Sequence, residues 1–381
     1  MQHPIMATTA LLPQSSSSDF ARADHEENGE EFEQKFQQLV SELPKERGWV
    51  GKTIHQYEGF WYATPVLKGI LILQQHFKAQ PDDVLLVSYP KSGTTWLKAL
   101  MFTIMNRKCF HENDENPLHK SNPHELVNLL ETYANVNPKE PRPAYPVMNT
   151  HISYTSLPDS IKTSGCRIVY AFRDPKDILV SCWHFANKIK PEELPPISLA
   201  EAFEQFSRGA SPYGPYWDHV LGYWKASLEW PNRYMFLSYE DLKRDPCFHA
   251  KRLAEFLGHP FSPEEEKEGL VSKVVELCSF ENLSNLEVNK TGKHFAFSKV
   301  ENKIFFRQGK VGDAKNHLPG EMMRIMDEIT EEKFKNIKYL NELDSPKDEK
   351  SVAGTAISQK DQEMAAIVSP SIPCTCTAAV V

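Results

Sequence analysis

The sequence points to an α/β fold, a single domain with a central, mainly parallel sheet flanked by helices. Three apolar runs carry that expectation, at residues 84–87, 167–172 and 234–241, each of a length suited to a buried strand. Each leads at once into a helical start. Strand-then-helix units repeated in this way build a parallel sheet with its ligand crevice at the carboxyl ends of the strands. By length alone 381 residues would allow two domains, yet α/β enzymes of this size are often one.

Residues 1 to about 28 are polar and low in complexity, with four consecutive serines from Ser15, and disorder is expected. A short helix is expected near 32–43. Residues 49–67 carry Trp49, Tyr57, Phe60, Trp61 and Tyr62, too aromatic for a linker, and read as core. A helical apolar pattern over 66–77 then leads through the turn-prone Pro81, Asp82 and Asp83 into the first strand. Pro90 ends its ladder because proline has no N–H to donate. Beyond it Trp96, Leu97, Leu100, Met101 and Ile104 fall at helical spacing.

Gly93, Thr94 and Thr95 therefore stand where a helix begins. The first N–H groups of a helix lack partners and carry the positive end of its dipole, so an anion is the natural guest. Gly93 lets backbone approach the ligand, the threonines add hydroxyl donors, and Lys91 adds a point charge. This is not the nucleoside-triphosphate loop, in which lysine follows the second glycine; here Lys91 precedes Gly93. An ordinary threonine-capped turn is the plainer alternative.

Residues 106–146 read as a long loop with one helical piece around 125–133, and such loops are often lids or substrate loops. His111, His119 and His124 lack metal-ligand spacing and read as surface histidines. A second short strand, 147–151, ends in His151. The strand 167–172 delivers Arg173 at its C-terminal end, and Asp174-Pro175 opens a helix through Ile178, Leu179, Ser181, Cys182 and Trp183. Arg173 either faces the crevice or pairs with Asp177; its place at a strand end favours the crevice.

Helical pieces fill 187–232, Tyr239 lies near the end of the strand 234–241, and a capped helix runs from Asp245-Pro246 to Leu257-Gly258. A last loop, 305–316, sets Gly309 and Gly312 among Arg307, Lys310 and Lys315, a composition able to wrap a phosphate. Beyond about 340 the chain turns polar and then small. The expected division is a disordered tail at 1–28, one domain at 29–343 and a second disordered tail at 344–381.

A net charge of −8 argues against life on nucleic acid or an anionic membrane, though not against an anionic ligand in a local basic pocket. Seven cysteines with no CxxC pair and no zinc spacing read as free thiols in a reducing compartment. No apolar run approaches the ~18 residues of a membrane helix, and the acidic residues between Asp24 and Glu33 disfavour a signal or transit peptide. A cytoplasmic location is expected. No carboxylate pair suited to magnesium stands beside the glycine turn, so no metal is expected.

Pro90-Lys91-Ser92-Gly93-Thr94-Thr95-Trp96 resembles the 5′-phosphosulfate loop of cytosolic sulfotransferases, and its continuation Leu97-Lys98-Ala99-Leu100 resembles the plant branch. The likeness covers roughly 49–326. It implies a P-loop-like turn in which Lys91, Ser92, Gly93, Thr94, Thr95 and Trp96 hold the phosphosulfate end of 3′-phosphoadenosine 5′-phosphosulfate (PAPS), the co-substrate. It further implies that Arg173, Ser181 and the Arg307-Gln308-Gly309 loop hold the 3′-phosphate. Trp96 and Tyr239 would brace the adenine, with a weaker contact at Cys278-Ser279-Phe280. Thr150-His151, followed six residues later by Leu157-Pro158, resembles the family's catalytic histidine segment. Three positions depart from the pattern: Asn149 and Gln308 stand where relatives carry lysine, and Ala314 where tryptophan is common. The last two are expected to weaken donor grip or loop order.

Sulfuryl transfer to a hydroxyl needs an in-line nucleophile, a base for its proton, and cations on the leaving phosphate. The resemblance implies His151 as base and Lys91 as the neutralising cation. The partner is then a small hydroxylated acceptor of flavonoid, steroid, hydroxyjasmonate or desulfoglucosinolate type, among which the sequence does not choose. Oligomeric state is equally open. A nucleotide-binding protein of the same fold with weakened catalysis is the alternative the three departures suggest. A kinase or triphosphatase is disfavoured by the position of the lysine.

Overall fold

Two sheets organise the chain. The computed structural model describes residues 29–109, 116–143, 147–293, 300–335 and 337; the expected tails, with Cys374 and Cys376, and His111 lie outside them. The larger sheet comprises β4 (Val84–Ser88), β5 (Val147–Thr150), β6 (Arg167–Phe172) and β7 (Tyr234–Ser238). Its order is β5-β4-β6-β7 with every pairing parallel. The chain leaves β4 for one neighbour and later returns to its other side, so the direction of winding reverses there. Open α/β sheets bind ligands at that reversal, beyond the strand carboxyl ends.

Side chains along the strands divide between two apolar layers at period two. Leu85, Val87, Ile168, Tyr170 and Phe172 face one layer, and Val84, Leu86, Val169 and Ala171 face the other. Both faces are buried, which is why the strands read as continuous apolar runs rather than alternating ones. Helices Thr64–His76, Pro175–Ile189, Tyr216–Glu229 and Gly320–Phe334 contribute to the first layer. Helices Thr94–Asn106, Pro246–Phe256 and Leu270–Leu277 contribute to the second.

The aromatic stretch 49–67 does enter the core, but it also forms structure that its composition did not announce. A second sheet joins β1 (Lys45–Arg47), β2 (Thr53–Tyr57) and β3 (Phe60–Ala63) in antiparallel order. The strand expected at 234–241 stops at Ser238, whose hydroxyl accepts the N–H of Asp241 at 3.2 Å and caps a helix beginning at Tyr239. The helical piece expected at 125–133 is two helices, Pro123–Leu126 and Leu130–Val136. Between them the Asn128 carbonyl accepts the Asn149 N–H at 2.9 Å, so this linker is held along the edge of β5 instead of continuing a helix.

Candidate active site

Beyond Ser88 the backbone turns through two left-handed residues, Lys91 at φ 72° and Gly93 at φ 94°, before the helix Thr94–Asn106 starts. Gly93 has no room for a side chain: a Cβ there would lie 2.6 Å from Cδ2 of Tyr239. The Tyr239 ring packs edge-on against Trp96, centroids 6.1 Å apart. Thr94 Oγ1 lies 2.8 Å from Ser88 Oγ, and Thr95 Oγ1 lies 2.9 Å from Nε2 of His124. The Ser92 hydroxyl and the Trp96 indole nitrogen are buried with no partner.

Lys91, Ser181, His184, Phe185, Lys188, Ile304 and Arg307 surround one small hollow. It is far smaller than the ~300–1,000 Å³ of whole small-molecule sites. The Lys91 ammonium sits 4.2 Å from the centroid of the Phe185 ring. Burial, opposed by Cys182 and reinforced by the charges of Arg307, Arg173 and Lys188, lowers it to about 8.

Arg173 is buried and serves as a junction. Its Nη2 donates to Asp177 at 2.8 Å and to the Lys310 carbonyl at 2.7 Å, its Nη1 donates to the Lys91 carbonyl at 3.4 Å, and its guanidinium lies 4.4 Å from the centre of the Tyr239 ring. The pairing with Asp177, set aside from the sequence, does form. It joins the turn at 91 to the loop at 310, and Arg173 Nε remains without a partner. On that loop Arg307 donates to Asp313 at 2.6 Å while its own Nε is unpaired. Unpaired buried donors at Ser92, Arg173 and Arg307 are what an anion-binding cleft requires.

Other expected donor residues stand apart from these bonds. Gln308 is exposed. Gly309, at φ 62°, lies where a Cβ would meet the Phe280 ring at 2.5 Å. Ala314 is buried, and its N–H donates to Asp177 at 2.8 Å, so the loop is fastened here through backbone.

His151 follows β5 directly. Its Nδ1 lies 2.6 Å from the Ser88 carbonyl, which only accepts, so Nδ1 carries the proton and Nε2 holds a free lone pair. The backbone is fixed from both sides: the His151 N–H donates to Glu131 at 3.0 Å, and its carbonyl accepts from Nε2 of His219 at 3.0 Å. Burial, with smaller contributions from Lys98, His219 and Lys91, lowers the imidazole to about 3, against the Ser88 bond that raises it. Asn149 is buried and donates to the carbonyl of Leu86 at 2.9 Å.

A profile of the sulfotransferase domain matches residues 81–338. The chain belongs to the sulfotransferase family. Among relatives of this sulfotransferase, Cytosolic sulfotransferase 17 of Arabidopsis thaliana is 44% identical over 87% of this chain and 94% of its own. Flavonol 4′-sulfotransferase of Flaveria chlorifolia is 47% identical over 74% and 88%. A sulphotransferase crystal structure from Arabidopsis thaliana superposes at a TM-score of 0.63 with 39% identity, covering 82% of this chain and 96% of that one. The mouse sulfotransferase SULT7A1, complexed with PAP, superposes at 0.58 with 28% identity over 75% and 96%.

Several residues around this candidate site escaped the sequence. His124, read as a surface histidine, is half-buried against Thr95 and Lys98. Glu131, fully buried, holds Thr150 and His151, and Asp177 holds the loop at 312–314. Position before a strand or within a helix gave no local sign of these roles. Among the described residues no group of three or more His, Cys, Asp and Glu is arranged to hold a metal ion, and no helix is long and apolar enough to cross a membrane.

Proposed function

We propose that this sulfotransferase moves a sulfuryl group from PAPS to the hydroxyl of a small-molecule acceptor, with His151 as general base. The observation that carries the reading is the His151 tautomer: Nδ1–H is committed to the Ser88 carbonyl, leaving Nε2 to accept a proton. The Ser88 hydroxyl in turn touches Thr94, so the base and the anion-binding turn share one strand end. PAPS supplies the activated sulfuryl group and a phosphate leaving group. Lys91 balances the charge that grows on the bridging oxygen, and His151 takes the acceptor's proton.

Lys91, Ser92, Gly93, Thr94, Thr95 and Trp96 are assigned to the phosphosulfate end, and Arg173, Ser181 and 307–309 to the 3′-phosphate, with Tyr239 beside the adenine. The mouse relative's complex with PAP supports the donor, and the names of the flavonol sulfotransferases and of the Arabidopsis steroid sulphotransferase structure support flavonoid-type and steroid-type acceptors. Residues 29–343 form the catalytic domain on this reading. The names of the Arabidopsis cytosolic relatives support a cytoplasmic location.

The test is incubation with sulfur-labelled PAPS and a panel of the four acceptor classes, with ATP as control. Labelled product is expected with wild type, and His151→Ala is expected to bind donor while forming none. Donor binding without product across the panel would leave the weakened-catalysis alternative standing.

A further inference from the structure

Lys98 lies one turn into the helix that begins at Thr94 and is entirely buried. No carboxylate among the described residues pairs with it. Its Nζ lies 3.1 Å from Nδ1 of His124, and Nε2 of the same ring lies 2.9 Å from Thr95 Oγ1. Phe305 stacks on the imidazole with centroids 4.0 Å apart, and the His124 N–H donates to Asn122 at 2.9 Å, so the ring has a fixed place. A hydrogen-bonded chain thus runs from an interior amine to a hydroxyl of the glycine turn.

We propose that Lys98 sets the direction of this chain, making Thr95 a donor toward the anionic end of the co-substrate and coupling anion binding to protonation of Lys98. The inference rests on the donor site proposed above. A charged Lys98 can only donate, so Nδ1 of His124 accepts and Nε2–H donates to the threonine oxygen. The threonine proton is then free to point at the ligand. A neutral Lys98 permits the reverse order, in which Thr95 donates inward to His124 and offers an anion only lone pairs.

The free protein sits close to the balance between the two forms. Burial lowers Lys98 to about 7, against the opposing charge of Glu131. His124 and His151 are the other titratable groups facing it. An arriving anion supplies the missing counter-charge, favours the ammonium form and draws in a proton.

Titration calorimetry with adenosine 3′,5′-bisphosphate tests this, run from pH 6.5 to 8.5 in two buffers of different ionisation heat. Wild type, Lys98→Met, Thr95→Val and the double variant are compared. Lys98→Met is expected to bind ~10-fold more weakly, as for loss of one charge-assisted hydrogen bond, and to take up fewer protons, the remainder belonging to Lys91. In the Thr95→Val background the same change should cost less than about twofold, because the chain no longer has an end. Should Lys98→Met fail to fold, His124→Asn interrupts the chain at its middle and must show the same non-additivity. Equal losses in both backgrounds, or unchanged proton uptake, would overturn the proposal. Wild-type affinity in Thr95→Val alone would instead overturn the donor site on which it rests.

Discussion

Asp177 lies one helical turn beyond Arg173, and the two make a buried ion pair of 2.8 Å whose carboxylate also accepts the N–H groups of Gly312 and Ala314, each at 2.8 Å. One acid therefore fastens the end of β6 to a loop more than a hundred residues away. Asp177→Ala leaves the Arg173 charge and two backbone donors unpaired. The expected loss is ~3–5 kcal/mol of folding stability, measured by urea denaturation, with weaker donor binding as the loop is freed. A loss under about 1 kcal/mol would show that Arg173 does not depend on this pair.

Gly93 combines a left-handed backbone with the Tyr239 ring where its side chain would be. Gly93→Ala is expected to cost ~1–3 kcal/mol from the backbone alone, more once the ring is displaced. The turn that presents Lys91, Ser92 and Thr94 would shift, and donor affinity measured by calorimetry should fall at least tenfold. Gly51, where an added methyl group would meet nothing within 4 Å and no left-handed backbone is imposed, is the matched control: Gly51→Ala should leave donor affinity unchanged.

Lys91, lowered to about 8 by burial, loses its charge within the range of ordinary assays. The donor is anionic and favours the ammonium form, so affinity should fall as pH rises through about 8. Lys91→Met removes the part of that dependence near pH 8, leaving the part that belongs to Lys98, and should lower turnover ~10²-fold or more. A wild-type affinity flat from pH 7 to 9.5 would contradict the assignment.

His219 is fully buried, its Nδ1 2.8 Å from the Tyr170 hydroxyl, and burial lowers it to about 4. Its folded value lies below that of the unfolded chain, ~6.5, so between those values the unfolded state holds a proton the native state does not. Stability therefore falls as pH falls from about 6.5 toward 4. His219→Gln removes this contribution: its stability plotted against pH should be shallower than wild type by one proton over that window. The slope, rather than the overall stability, is the readout.

Gln308 is exposed beside Arg307. Gln308→Lys adds one solvent-screened cation near the assigned 3′-phosphate site, worth ~0.2–1 kcal/mol. Donor binding should tighten by a few-fold at low salt and less at high salt. Unchanged affinity by calorimetry would remove Gln308 from the donor site.

Local physics wrote much of this into the chain. Apolar runs such as Arg167–Phe172, bounded by proline, glycine and acid, specify strands buried on both faces, and repeated strand-to-helix turns specify their parallel arrangement. The strand-to-helix turn marked Lys91, the glycine-punctuated loop marked Arg307 and the family resemblance marked Ser181, and these three line one hollow. Contacts decided only on folding left no such mark. Nothing near His151 announces that the Ser88 carbonyl, 63 residues earlier, fixes its tautomer, and nothing near Arg173 announces the Lys310 carbonyl 137 residues later. The 29-residue gap that brings His124 to Thr95 is equally silent. Hydrophobic periodicity records which face of an element is buried, but a single polar side chain carries no periodicity; its partner, its burial and its charge are set by whichever distant segment the packed sheet brings against it.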